Sequence, residues 1–202
     1  KRYMLDNPEY ENLQIFIDID EKTLYLLDGN NLIKKYPVAT GKPSTPTPIG
    51  RWKVINKARW GGGFGSRWIG IDVPWGTYGI HGTNKPSTIG YNASHGCVRM
   101  YNRDVEDLYT YVKYGTPVYI YGGLYGPFGN GARNLKPGDK GIDVVEVQRR
   151  LKLLGYYKGS IDGVYGPVME NALYSFQRDN GLPKSRVIYY ETYRAMGIIM
   201  ME

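Results

Sequence analysis

Apolar residues recur in short alternating runs through the first third of the chain. LQIFIDID (13–20), TLYLLDG (23–29) and NLIKKYPVAT (31–40) carry them at a period of two or in brief unbroken stretches. A period of two sends successive side chains to opposite faces of an extended strand, so three strands are predicted, separated by turn residues such as Asp28-Gly29-Asn30. GKPSTPTPIG (41–50), with three prolines and two glycines, reads as a structured loop. RWKVINK (51–57) returns to strand, and TPVYIYG (116–122) reads as a closing one. Between them WGGGFGSRWIGIDVPWGTYG (60–79) reads as a long irregular stretch. Its Trp60, Trp68 and Trp75 are not linker residues, and such a stretch inside a compact domain reads as a lid or binding loop.

The period then lengthens. Val105, Leu108, Tyr109 and Val112 share one face of a helix expected over 103–114, with Asn102 as its cap and Gly115 as its stop. The Gly- and Pro-rich segment 123–138 marks a domain boundary near residue 130, dividing the chain into 1–126 and 127–202. Beyond it, Val144, Val147, Leu151 and Leu154 line a helix over 142–154. Pro167 stands at the first position of a second, faced by Met169, Ala172, Leu173 and Phe176, and a third covers about 189–196. The fold class expected is therefore mixed: a mainly-β, sandwich-like domain with one or two helices, then a small all-α three-helix module.

Composition narrows the partners. With 42% hydrophobic and 22% charged residues, an ordinary core is expected. The net charge of +7 attracts anions, but the 26 Lys and Arg are scattered, and KARW (57–60) and QRR (148–150) are the densest pieces, so a nucleic-acid patch is not supported. Twenty tyrosines against four phenylalanines suit surfaces that grip sugars or peptides. No run of 18 apolar residues is present, so no transmembrane segment is read. Because the sequence opens at Lys1, a removed signal peptide or anchor is expected to have preceded it.

The one cysteine and both histidines lie within residues 81–97. A thiol and an imidazole are the pair that thiol catalysis needs: the imidazole takes the proton and a thiolate–imidazolium pair remains. Gly96 before Cys97 allows a sharp turn, and backbone N–H groups there are placed to stabilise an oxyanion. Tyr78-Gly79-Ile80 reads as a strand end that delivers His81. Zinc is disfavoured, because His95 and Cys97 are only two residues apart, and no metal, cofactor or calcium loop is implied.

His81-Gly82-Thr83 followed by Ser94-His95-Gly96-Cys97-Val98-Arg99-Met100 resembles the signature of YkuD-type L,D-transpeptidases, and YPVATGKPSTPTPIGRWKV (36–54) is similar to that family's approach to the site. The resemblance covers about residues 13–121. It implies Cys97 as nucleophile, His81 as general base and the Gly82 carbonyl as the group that orients the imidazole. Ser94, His95 and Gly96 would line the site and oxyanion hole. Arg99 would clamp a substrate carboxylate, with Tyr78 and Trp75 also in the substrate-binding set. The sequence departs from many members in a shorter spacing from His81 to Ser94 and in Arg99-Met100 where Asn is common; both look like the variant of single-domain Gram-positive relatives. LKPGDKGIDVVEVQRRLKLLGYY (135–157), IDGVYGP (161–167) and ALYSFQRDNGL (172–182) resemble the three-helix peptidoglycan-binding domain, whose second Asp-Gly turn is here replaced by SRVIYYETY (185–193).

What the resemblances imply is peptidoglycan cross-linking, extracytoplasmic, on stem peptides and glycan, through a Cys97 thioester that the 60–79 stretch would shield from water. Carbapenem β-lactams would be inhibitors. The alternatives are an L,D-carboxypeptidase on the same scaffold and a non-catalytic wall-binding protein.

Overall fold

The computed structural model describes residues 10–128 and 132–198. The chain divides into two compact units. The first holds the chain up to Thr47, Arg51–Val73 and Thr77–Tyr121; the second holds Gly122 onward together with Pro48–Gly50 and Pro74–Gly76. The boundary expected near residue 130 lies outside the described residues; by packing, the division falls at Tyr121/Gly122. The reason is a pair of 3-10 turns over Gly123–Phe128, which belong with the helices beyond: Phe128 meets Tyr193 edge-on, ring centres 5.7 Å apart.

In the first unit the strands are β1 (Leu13–Asp18), β2 (Thr23–Asp28), β3 (Asn31–Gly41), β4 (Gly50–Ala58), β5 (Trp68–Ile71), β6 (Tyr78–His81), β7 (Asn92–Ser94), β8 (Val98–Met100) and β9 (Pro117–Tyr121), with helix α1 (Asn102–Tyr111) between the last two. The mainly-β class is as read from sequence. The five strands expected there are β1–β4 and β9. The 60–79 stretch is less irregular than expected, since it supplies β5 and the first half of β6. All four residues of β5, Trp-Ile-Gly-Ile, are buried, so it shows no alternation to signal a strand.

The spatial order is β2-β1-β9-β4-β5-β6-β8-β3-β7, with a further pairing of β2 to β3. Strand β3 therefore closes the sheet on itself: its residues 31–37 pair with β2, Val38 and Ala39 with β8, and Thr40 and Gly41 with β7. The apolar residues of β1 and β2 that alternate inward, Ile15, Ile17, Leu24 and Leu26, are wholly buried. Each such side chain contributes roughly 1.5–3 kcal/mol by leaving water.

Helix α1 lays Val105, Leu108 and Val112 on the core as its spacing predicts, while Tyr109 is only half-buried. Its start differs from expectation. Tyr101 is the N-cap residue, and Asn102, inside the first turn, uses its side chain elsewhere. At the other end Lys57 of β4 donates to the carbonyls of Tyr109 (2.7 Å) and Val112 (2.6 Å), its ammonium 4.0 Å from the Tyr109 ring centre. A cation there satisfies carbonyls the helix leaves unpaired and opposes its dipole. One residue of the densest basic piece in the sequence is thus spent inside the fold.

The second unit packs α2 (Ile142–Leu153), α3 (Pro167–Asp179) and α4 (Tyr190–Ala195) around Val144, Val147, Leu151, Met169, Leu173 and Phe176. Pro167 is at the first helical turn of α3, as read. Leu154 is not part of this core: it is the α2 C-cap and 41% exposed, because the helix stops one residue before it. Bridges Leu135 to Ile188 and Lys140 to Val164 tie the connecting segments. Among the described residues no helix is long and apolar enough to cross a membrane.

Lys57→Met keeps the aliphatic stem but leaves two α1 carbonyls without a charged donor. A loss of about 1–3 kcal/mol in denaturant unfolding is expected; unchanged stability would mean that water replaces the ammonium at no cost.

Candidate active site

The site is built on two neighbouring parallel strands. In the β6–β8 register Ile80 stands beside Val98 and His81 beside Arg99. Ile80 and Val98 point into the core, at 0% and 1% exposure. Alternation then turns His81 and Arg99 to the opposite face, and Cys97, two residues before Arg99, shares it. Electrostatics agree: the Arg99 charge acts on both the His81 ring and the Cys97 thiol, and the Gly79 backbone hydrogen-bonds the sulfur.

His81 is held on every side. Its Nδ1 is 2.5 Å from the Gly82 carbonyl oxygen. A carbonyl only accepts, so Nδ1 carries the proton and the Nε2 lone pair is left to receive one. Trp68 stacks on the imidazole at 5.7 Å between ring centres and Phe64 meets it edge-on at 5.1 Å. Trp60 stacks on the far side of Trp68 at 4.7 Å. The residues of the stretch at 60–68 that were expected to form a lid are thus an aromatic housing for the base. Trp60 and Phe64 remain nearly half exposed, while Trp68 is buried and donates its indole N–H to Asn56 Oδ1 at 2.8 Å.

The turn that carries Cys97 is braced by Ser94, which is 1% exposed. Ser94 Oγ donates to the Cys97 carbonyl at 2.6 Å and accepts from the Gly96 N–H at 3.0 Å. The Ser94 carbonyl in turn accepts from the Lys42 N–H (3.1 Å) and Thr45 Oγ (3.2 Å), so the proline-rich loop fixes the turn from outside. Gly96 has φ 114°, a backbone region closed to other residues, and a Cβ there would meet the Tyr78 ring at 2.6 Å. Tyr78 thus stands at the turn. His95 is exposed. Since the Gly96 amide is occupied, it is not a free oxyanion donor; among loop and turn hydrogen bonds of the described residues neither the His95 nor the Cys97 N–H donates.

Trp75, expected with the substrate-binding residues, is packed with the second unit. It is 6% exposed and sits against Gly163 and Val145. Its burial there satisfies a large apolar ring without any substrate. Asn102 escaped the sequence reading, because Asn before a helix looks like a cap.

Burial pushes the Cys97 thiol up; the Gly79 hydrogen bond and Arg99 charge pull it down without cancelling that effect. Burial pushes the His81 imidazole below its ordinary value, the Gly82 carbonyl opposes this, Arg99 adds to it, and the Phe64 backbone opposes it. Both shifts favour the neutral forms, thiol and imidazole, over a thiolate–imidazolium pair. Burial penalises both charged forms, and Arg99 favours the thiolate while disfavouring the imidazolium.

Residues 12–120 match the family model YkuD, described as "L,D-transpeptidase catalytic domain", and residues 140–196 match one described as "Putative peptidoglycan binding domain". "Putative L,D-transpeptidase YkuD" of Bacillus subtilis is 44% identical over 117 residues, covering 57% of this chain and 70% of that protein. The protein of the same name from Bacillus licheniformis is 43% identical over 115 residues, covering 56% and 68%. The solved catalytic domain of the E. faecium L,D-transpeptidase is 26% identical, with TM-score 0.48, over 56% of this chain and all of that one.

Alkylation of Cys97 by iodoacetamide is expected to climb steadily above the ordinary thiol range near pH 8.5. His81 stays neutral, and so able to accept a proton, at and somewhat below its usual value near pH 6.5. Rates measured from about pH 5 to 10 distinguish this from a preformed ion pair, which would give a flat, fast plateau through neutrality.

Proposed function

Because this chain belongs to the YkuD family of L,D-transpeptidase catalytic domains over residues 12–120, we propose that it cross-links peptidoglycan stem peptides through a Cys97 acyl-enzyme. The observation that supports the reading is the contact of His81 Nδ1 with the Gly82 carbonyl, which favours the Nδ1–H tautomer and Nε2 as the base, on a strand beside the one that follows Cys97.

The sulfur attacks the amide carbonyl at the L-centre of the third stem residue as its proton passes to His81 Nε2. Since both partners rest neutral, proton transfer accompanies attack and does not precede it. The developing oxyanion is met by the His95 and Cys97 amides of the turn that Ser94 braces. The imidazolium then protonates the leaving amine, a terminal D-amino acid departs, and a thioester remains. An amine from a second stem attacks it, His81 takes the amine's proton, and the thiol is restored. Trp60, Phe64 and Trp68 keep water from the base side of the thioester.

Arg99 supplies substrate anchoring. Its Nε is buried with no hydrogen-bond partner among the described residues, and no carboxylate appears among the groups acting on His81 or Cys97. An unpaired guanidinium beside the nucleophile suits the terminal carboxylate of the leaving D-amino acid. Tyr78 lines the same turn. We propose that the second unit, which matches the peptidoglycan-binding model, holds the enzyme to the wall, an extracytoplasmic setting.

Two measurements test this. Intact-mass spectrometry after incubation with a tetrapeptide stem, and separately with a carbapenem whose strained carbonyl mimics the amide, is expected to show an adduct on the native chain and none on Cys97→Ala. Cross-linked product that forms only with an acceptor stem establishes transfer; free tripeptide in its presence would establish the carboxypeptidase instead; wall binding with neither product nor adduct would establish the non-catalytic reading. For Arg99, the native enzyme is expected to favour a tetrapeptide with a free C-terminal carboxylate over its amide by roughly tenfold or more, the scale of one charged hydrogen bond. Arg99→Gln is expected to lose that preference; if it discriminates as well as the native enzyme, another group binds the carboxylate.

A further inference from the structure

Asn102 is the first residue of α1, where its side chain has no helical duty. Its Oδ1 accepts the Ser66 N–H at 3.1 Å. The same oxygen fills the space beside two glycines: a Cβ on Gly65 or on Gly82 would collide with it. Those two backbones are also in close approach to each other, since a Cβ on Gly82 would come within 3.1 Å of the Gly65 Cα and 3.0 Å of the Ser66 nitrogen. One amide oxygen thus sits where two segments meet. The first, ending at Ser66, carries the short 3-10 turn Gly62–Phe64 and its ring over the imidazole. The second is Gly82, whose carbonyl takes the His81 Nδ1–H.

Apart from the ring contacts of Phe64 and its backbone contact with His81, little pins the glycines of the first segment. Cβ atoms built on Gly61, Gly62 and Gly63 meet nothing within 4 Å, and none of the turn's residues is buried. Gly82 is tied on its own account by one backbone bond, its N–H to the Arg67 carbonyl at 3.1 Å. We propose that Asn102 is the positioning residue of the catalytic base: by joining the Phe64 turn to Gly82 it holds His81 in the Nδ1–H tautomer and in the plane that aims Nε2 at the sulfur. The tautomer of a buried imidazole follows the hydrogen bond its other nitrogen makes, so whatever fixes the Gly82 carbonyl fixes the base.

The kinetic part rests on His81 serving as the base; the spectroscopic part does not. The chain has two histidines, His81 buried and His95 exposed, so the two imidazoles are separable by NMR in the intact protein. The charged group acting on His81 is Arg99 of the neighbouring strand; Phe64 and Trp68, against its faces, do not titrate.

The experiment compares Asn102→Leu, which keeps the bulk and loses the acceptor, with Asn102→Asp, which keeps the acceptor. Imidazole ¹⁵N shifts, and the rate and pH profile of Cys97 acylation by a carbapenem, are measured on both and on the native chain. The native protein is expected to show the Nδ1–H form alone. Asn102→Leu is expected to mix the two tautomers, move the His81 titration toward that of a free imidazole, and slow acylation on the order of tenfold at unchanged affinity for the β-lactam. Asn102→Asp is expected to restore the tautomer and most of the rate. A native-like His81 spectrum in Asn102→Leu, or an Asp variant as perturbed as the Leu variant, overturns the proposal. If Asn102→Leu does not fold, Asn102→Ser decides by the same spectra: its shorter hydroxyl cannot span to Ser66, so a native tautomer there overturns the proposal equally. A shift in tautomer with no acylation in any variant, the native chain included, refutes the proposed function and leaves the positioning role standing.

Discussion

Everything in the first unit serves the two-residue register that sets His81 beside Arg99 across β6 and β8. Parallel neighbours cannot be joined by a tight turn, and here the connection from His81 to Val98 passes through a 3-10 turn at Pro86–Thr88 and the short strand β7 before returning. That return is anchored on β3, which pairs with β7 and β8 as well as β2. A slip of one residue would turn the reactive face inward and bring Ile80 and Val98 out. Because those two side chains are buried, the hydrophobic core itself holds the chemistry in register.

The second constraint is dielectric. A base enclosed by Trp68 and Phe64 and a thiol recessed beside it both resist ionisation. Arg99 tilts the balance toward thiolate but away from imidazolium, so its presence does not create a standing ion pair. Its Nε is buried with no hydrogen-bond partner among the described residues.

Much of this was legible in the chain. Two histidines and one cysteine in seventeen residues, in a specific motif, pointed to the site before any coordinates, and strands with clean alternation announced themselves. What could not be read follows a pattern. Strand β5 is four buried residues, without polar positions to set a phase. That Trp75 packs with the second unit could not be read, because sequence shows a ring's size and not its address. Asn102 shows the signature of a cap because a short acceptor before a helix is what a cap requires; only the helix start, with Tyr101 at the cap position, reveals that the Asn102 side chain bonds Ser66 and caps nothing. Lys57 shows in sequence only as one of a short basic piece, and its place at the end of α1 is visible only in the fold. In each case the residue type was informative and the partner was not encoded nearby.

The neutral resting state has a consequence for survival outside reducing compartments. Peroxides and disulfides react with thiolates, and a thiol that stays protonated is a poor target for either. These 202 residues hold no second cysteine to resolve a sulfenic acid as an internal disulfide. The same burial that disfavours the thiolate therefore protects the one sulfur present here from ambient oxidants.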